Sequence, residues 1–185
     1  MPTLAPPPTI PPAIECSIAA SVAYGLPANI LLAVADMEGG RPGLWVRNAN
    51  GTYDVGAMQF NTAYLQTLSR YGITPQSVAA DTCYPYQLAA WRVRKHIRED
   101  GGDLWTRIAN YHSRTAQFNA PYRSGLIHRA RYWVQWLGAR FKTYEMPSPV
   151  TSRAHLTPRS DSGEAAPARE SRSSTTAKQL KGGLQ

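Results

Sequence analysis

Residues 27–61 read PANILLAVADMEGGRPGLWVRNANGTYDVGAMQFN, and this stretch decides the fold. Pro27 stands where the start of a helix tolerates it, the spacing predicts a helix from Ala28 to Met37, and Gly39-Gly40 ends it. Ile30, Val34 and Glu38 recur at i, i+4, i+8, which puts a carboxylate on the apolar stripe at the helix end. A charge there is costly unless it is paired, hydrogen-bonded or neutral. Burial raises a carboxyl pKa, and an acid still protonated near neutral pH is what general acid catalysis requires. A glutamate in a terminal turn also has the option of swinging out to solvent, and the helix pattern alone leaves both readings standing. Leu44 to Phe60 is the one stretch with strand character: Asn50-Gly51 is a hairpin turn signal between Trp45-Val46 and Tyr53-Asp54-Val55.

Outward from this stretch the chain reads as short helices with clear punctuation. Ile14, Ile18 and Val22 form a stripe that stops at Gly25. Further helices are expected at about Thr62–Tyr71, with Tyr64, Leu65, Leu68 and Tyr71 on one face, and at Pro85–Arg98, with Tyr86, Ala89, Val93 and Ile97. Asp103–Asn110 and Tyr122–Phe141 complete the set. The expected architecture is α+β and mainly α, with a small β-hairpin or sheet inserted after the second helix.

The 185 residues suit one domain. Proline crowds Pro2–Pro12 and Pro147–Pro167, whereas all five Trp and all three Phe lie between them, so the core belongs to residues 13–144. Residues 1–12 read as a Pro-rich arm and 145–185 as a disordered tail. Of the net charge of +8, residues 13–144 hold 14 Lys+Arg against 8 Asp+Glu, and the tail holds 6 against 4. A basic surface favours polyanions, and nucleic acid, an anionic envelope polymer and a membrane surface satisfy it equally. Helix 85–98 carries Arg92, Arg94, Lys95 and Arg98, and the last helix pairs basic residues with Tyr132, Trp133 and Trp136. Those aromatics sit at core spacing, so packing explains them better than base stacking does. No apolar run approaches a membrane span, and no basic or apolar leader precedes Glu15, so no signal peptide is read. Cys16 and Cys83 lack metal-ligand spacing; two buried thiols and one disulfide are both compatible with the count.

The order Glu38-Gly39-Gly40, then Asn50-Gly51-Thr52-Tyr53-Asp54, then Gly56-Ala57-Met58-Gln59-Phe60-Asn61, then Ala109-Asn110-Tyr111-His112-Ser113, resembles the lysozyme-like lytic transglycosylases. It is similar in particular to the small ones that accompany conjugation and type IV secretion machines, over about residues 14–137. The resemblance implies a lysozyme-like domain with Glu38 as the single catalytic acid/base. It implies that Gln59 hydrogen-bonds sugar and that Tyr111 orients the Glu38 carboxyl or the reacting ring. Met58 and Asn61 would support the elements that present Gln59, and Tyr122 would be a cleft-wall tyrosine, though Met58 also reads as core and Tyr122 as a helix-start packing residue. His112 stands where many relatives have Asn, which argues against a direct catalytic part. In the family two cysteines at comparable places are bridged, which implies a Cys16–Cys83 disulfide and a periplasmic setting. The implied partners are peptidoglycan glycan strands and a secretion, conjugation or pilus assembly, with no cofactor or metal, no nucleic acid substrate, no membrane span and a monomeric state.

Residues 54–61 also resemble the strand of animal-type lysozymes that carries their second carboxylate. Two routes are therefore open. A transglycosylase needs Glu38 alone, and Asp54 is then a structural or charge-stabilising neighbour; a hydrolytic muramidase would use Asp54 as well. A glycan-binding adaptor without activity is the reading outside enzymology.

Overall fold

The computed structural model describes residues 10–141; the expected tail from 145 and most of the N-terminal arm lie outside the described residues. Within them the chain is mainly helical with one small antiparallel sheet, as the sequence leads one to expect. Helix α1 spans Pro12–Tyr24 and ends on Gly25 in the left-handed region, whose N–H closes onto the Ser21 and Val22 carbonyls. Its buried face is Cys16, Ser17, Ala20 and Ser21, and Val22 is 76 % exposed. The Ile14–Ile18–Val22 stripe is thus displaced by one residue: side chains of one or two heavy atoms line the contact with the two neighbouring helices, Ala28–Glu38 and Tyr84–Glu99. Hydropathy gives such small residues little weight.

Helix α2, Ala28–Glu38, is the centre of the molecule, with every residue from Ile30 to Val34 buried. Helices α1, α5 (Tyr84–Glu99) and α7 (Ala116–Arg140) all pack against it. Trp133 of α7 donates its indole N–H to Asp36 at 2.8 Å, fixing the two long helices in register. Gly39, left-handed at φ 58°, stops α2 immediately after Glu38.

The sheet has the order β1 (Trp45–Arg47), β2 (Tyr53–Val55), β3 (Phe60–Asn61), all antiparallel, with Val46 opposite Asp54 and Asp54 opposite Asn61. The Asn48–Gly51 turn joins the first two strands as expected. The third strand is too short to show a period. It returns through the Gly56–Gln59 turn and continues directly into α3, Thr62–Leu68, where the Asn61 side chain caps the first turn through the Ala63 N–H. A 3-10 turn over Ser69–Tyr71 follows and leaves Tyr71 66 % exposed, so that residue does not share the buried face of Leu65 and Leu68.

Two glycines bring α2 and the sheet together. A Cβ on Gly40 would fall onto the Gly56 carbonyl oxygen and 2.7 Å from that of Ala57. Gly56, at φ +75°, leaves no more room on its other side, where a Cβ would meet the Val78 carbonyl. Val78 belongs to α4, Pro75–Ala79, a five-residue helix started by a Thr74–Ser77 capping box and too short for periodicity to reveal.

Helix α6 spans Leu104–Ala109, with Asp103 accepting from the Trp105 and Thr106 N–H groups. Helix α7 starts at Ala116 rather than Tyr122, because Pro121 stands at its sixth position instead of opening it. The missing N–H there forfeits one bond to the Gln117 carbonyl on an exposed face. Cys16 and Cys83 form a disulfide across a sequence separation of 67, joining the second turn of α1 to the residue that precedes α5. No helix among the described residues is long and apolar enough to cross a membrane.

Candidate active site

Glu38 closes α2 with its side chain turned inward, not out to solvent. Burial pushes its carboxyl from the usual 4.5 up to about 7; the Tyr122 hydrogen bond and the Arg92 charge oppose the rise, and the Asp54 charge adds to it. Tyr122, in the second turn of α7 and buried, donates its hydroxyl to Glu38 Oε1 at 2.6 Å. The His112 ring stacks flat on Tyr122, with centroids 4.7 Å apart and planes within 1°. Burial lowers the His112 pKa, which favours the neutral ring at that face.

The sheet supplies the opposite side. Asp54 lies on β2 and accepts 2.9 Å from the Asn61 amide, which also reaches the Thr52 hydroxyl at 3.0 Å. Gln59 is the one described non-glycine residue with positive φ, 46°, and its amide donates to the Gly56 carbonyl at 2.7 Å within its own turn. Met58, fully buried, is core, and its carbonyl accepts from the Tyr111 hydroxyl at 2.8 Å. The hydroxyl that orients Glu38 is therefore that of Tyr122, whereas Tyr111 spends its own on the sheet.

Between these walls runs a groove. One cavity, of about 650 Å³, is bounded by Glu38, Asn50, Asp54, Gln59, Arg92 and Tyr111 among others. A second, of about 530 Å³, continues past Tyr122 and Pro121. Glu38, Asp54, Gln59, His112 and Phe118 belong to both, so the half-buried acid lies where the two meet. Among the described residues no group of three or more His, Cys, Asp or Glu side chains is placed to hold a metal ion.

Two lining residues escaped the sequence reading of the site. Phe118 is 52 % exposed on the first turn of α7, the turn that Pro121 conceals. Arg92 extends from α5 between the faces of Tyr64 and Tyr111, its guanidinium carbon 4.2 and 4.5 Å from their centroids. Its signal was available: Leu88 and Ala89, both buried, precede it by four and three residues, so a charge stands on an apolar face as Glu38 does.

No family model matches the chain. It is similar to the invasion protein IagB of Salmonella typhimurium and to that of Salmonella typhi, 26 % identical over 119 residues, which cover 64 % of this chain and 70 % of the relative.

Proposed function

We propose that the protein is a lytic transglycosylase of the lysozyme-like family, cleaving the β-1,4 bond between N-acetylmuramic acid and N-acetylglucosamine in peptidoglycan. The observation that carries this is the half-buried Glu38 carboxyl, held by Tyr122 where two adjoining cavities meet, with its pKa raised to about 7. Such a group is partly protonated at neutral pH and serves as acid and base in turn. Glu38 first protonates the bridging oxygen as the C1–O bond breaks. The resulting carboxylate then takes the proton of the muramic C6 hydroxyl as that oxygen bonds to C1. The product is a 1,6-anhydro sugar, the proton returns to Glu38, and no water is consumed. Tyr122 occupies Oε1 and so aims the other carboxyl oxygen at the bond.

The distant similarity to IagB supports the family reading, and that relative's description as an invasion protein suits work at a cell envelope. A disulfide favours an oxidising compartment, here the periplasm. Local opening of the wall for a type IV secretion, conjugation or pilus apparatus is the role we assign. The experiment is digestion of purified sacculi followed by mass spectrometry of the muropeptides. Anhydro products from the native protein and none from Glu38→Gln are expected; activity retained in that variant would reject Glu38 as the acid.

One observation favours a second reading. The Asp54 charge reaches Glu38 and faces the same groove, as a hydrolytic muramidase requires. Products one water heavier, with reducing ends, would establish that route. Glycan binding with no cleavage at all would leave an adaptor.

A further inference from the structure

Arg92 is a cation that acts on Glu38 through the groove but makes no contact ion pair among the described residues. Tyr64 and Tyr111 cover the two faces of its guanidinium, which fixes the plane without neutralising it. Nε is buried with no partner among the described residues, so the terminal Nη1/Nη2 edge is the one left to face the groove. Arg107 also has a buried, unpartnered Nε, but its Nη1 donates to the Ile97 carbonyl at 2.7 Å; among the described residues Arg92 donates to no carbonyl or carboxylate, and its one polar neighbour is the Tyr111 hydroxyl. None of the ion pairs among the described residues involves Arg92. Yet the side chain lines the groove beside Glu38 and Asp54.

A planar fork, held by stacking and open along its edge, matches a carboxylate better than any neutral sugar group. Resting on the glycan-strand reading above, we propose that Arg92 is a specificity-determining subsite for the free lactyl carboxylate of muramic acid. That group is a carboxylate only where the stem peptide has been removed; where the peptide is attached it is a neutral amide. The preferred substrate is then the naked strand. The reaction that must supply it is hydrolysis of the lactyl amide bond, which releases the peptide and leaves the carboxylate behind. A substrate anion at Arg92 would also bring a negative charge to the groove and favour the protonated form of Glu38 before the bond breaks.

The test compares three defined glycan oligomers: naked, naked with its lactyl carboxylates converted to amides, and peptide-bearing. Anhydro product is followed as kcat/KM, and affinity is measured in the Glu38→Gln background. The unaltered protein is expected to prefer the naked strand over both others by about 10-fold or more, the range of a charge-assisted hydrogen bond. Arg92→Gln should erase that preference, chiefly through KM and affinity, so that naked and amidated strands are cleaved with equal kcat/KM whatever the common change in rate. Arg92→Lys should keep part of it, since charge survives and the fork does not. Equal loss on all strands would reduce Arg92 to a packing or pKa-setting residue and overturn the proposal. Preference for the peptide-bearing strand, lost when its stem carboxylates are amidated, would place the anion on the peptide and overturn the lactyl assignment. The amidated arm needs no variant, so misfolding of Arg92→Gln leaves the test intact. Cleavage of all three strands alike defeats this subsite alone, whereas neither cleavage nor binding of any strand defeats the glycan reading with it.

Discussion

At the scale of single residues, Glu38 is held at a cost. Its folded pKa of about 7 lies above the ordinary 4.5, so the stability it permits is full below about pH 4.5 and is lost as pH rises through 7. The 2.5-unit difference corresponds to about 3 kcal/mol at most. Glu38→Gln should therefore unfold at higher denaturant than the native protein at pH 8, with the gap closing at pH 4. A gap that persists at pH 4 would point to repacking instead of removed charge. Tyr122 acts on the same carboxyl with opposite sign, since its hydrogen bond favours the ionised form. Tyr122→Phe should move the alkaline limb of the activity profile up by about one pH unit and lower kcat about tenfold as the carboxyl loses its orientation. Glu38 was legible from its place on an apolar stripe, and Arg92 answered to the same logic. The pairing of Glu38 with Tyr122 was not, because 84 residues separate them and only the crossing of α2 and α7 brings them together.

At the scale of elements, legibility follows punctuation. Gly25, Gly39 and Gly72 each end a helical segment in the left-handed region, and each boundary could be read in advance. The inner face of α1, the two-residue strand β3 and the proline inside α7 carry no hydropathy period, and those are the places where the sequence reading fell short. One junction deserves a quantitative test. Asp100, just past α5, accepts from His96 Nδ1 at 2.7 Å, from the Asn110 amide at 2.8 Å and from Arg114 at 3.0 Å. Burial alone would raise its pKa, but the bonds from Arg114, Asn110 and His96 outweigh burial and hold it well below the usual carboxylate range. A depressed carboxyl contributes stability that is present above about pH 4 and fades as pH falls. Asp100→Asn should cost about 1–3 kcal/mol at pH 7 in denaturant unfolding and less at pH 3. It should also lower activity, because Asn110 leads into Tyr111 and His112 at the groove.

At the scale of the whole molecule, the Cys16–Cys83 bridge closes a loop that contains α2, the sheet, α3 and α4. The chain-entropy model gives a closure of that length about 4 kcal/mol. Replacing both cysteines by serine should shift the denaturant midpoint by that order. Because neither cysteine lines the groove, the folded double variant should keep its kcat. A fall in kcat without loss of stability would mean that the bridge shapes the groove. If the proposed function holds, the basic excess on residues 13–144 serves an anionic wall polymer, with Arg92 as a cation inside the groove itself.

The Gly40–Gly56 junction has a consequence for how such a protein diversifies. Backbone meets backbone there, with no side chain between the end of α2 and the turn beneath it, and Val78 closes the space behind. No substitution can shim that gap, so the floor and the sheet wall of the groove move as one block or not at all. The opposite wall carries Phe118, exposed on the first turn of α7, whose size is free to change around the fixed Tyr122. Variants with altered preference for strand width or decoration should accumulate their changes on that wall, leaving the glycine side untouched.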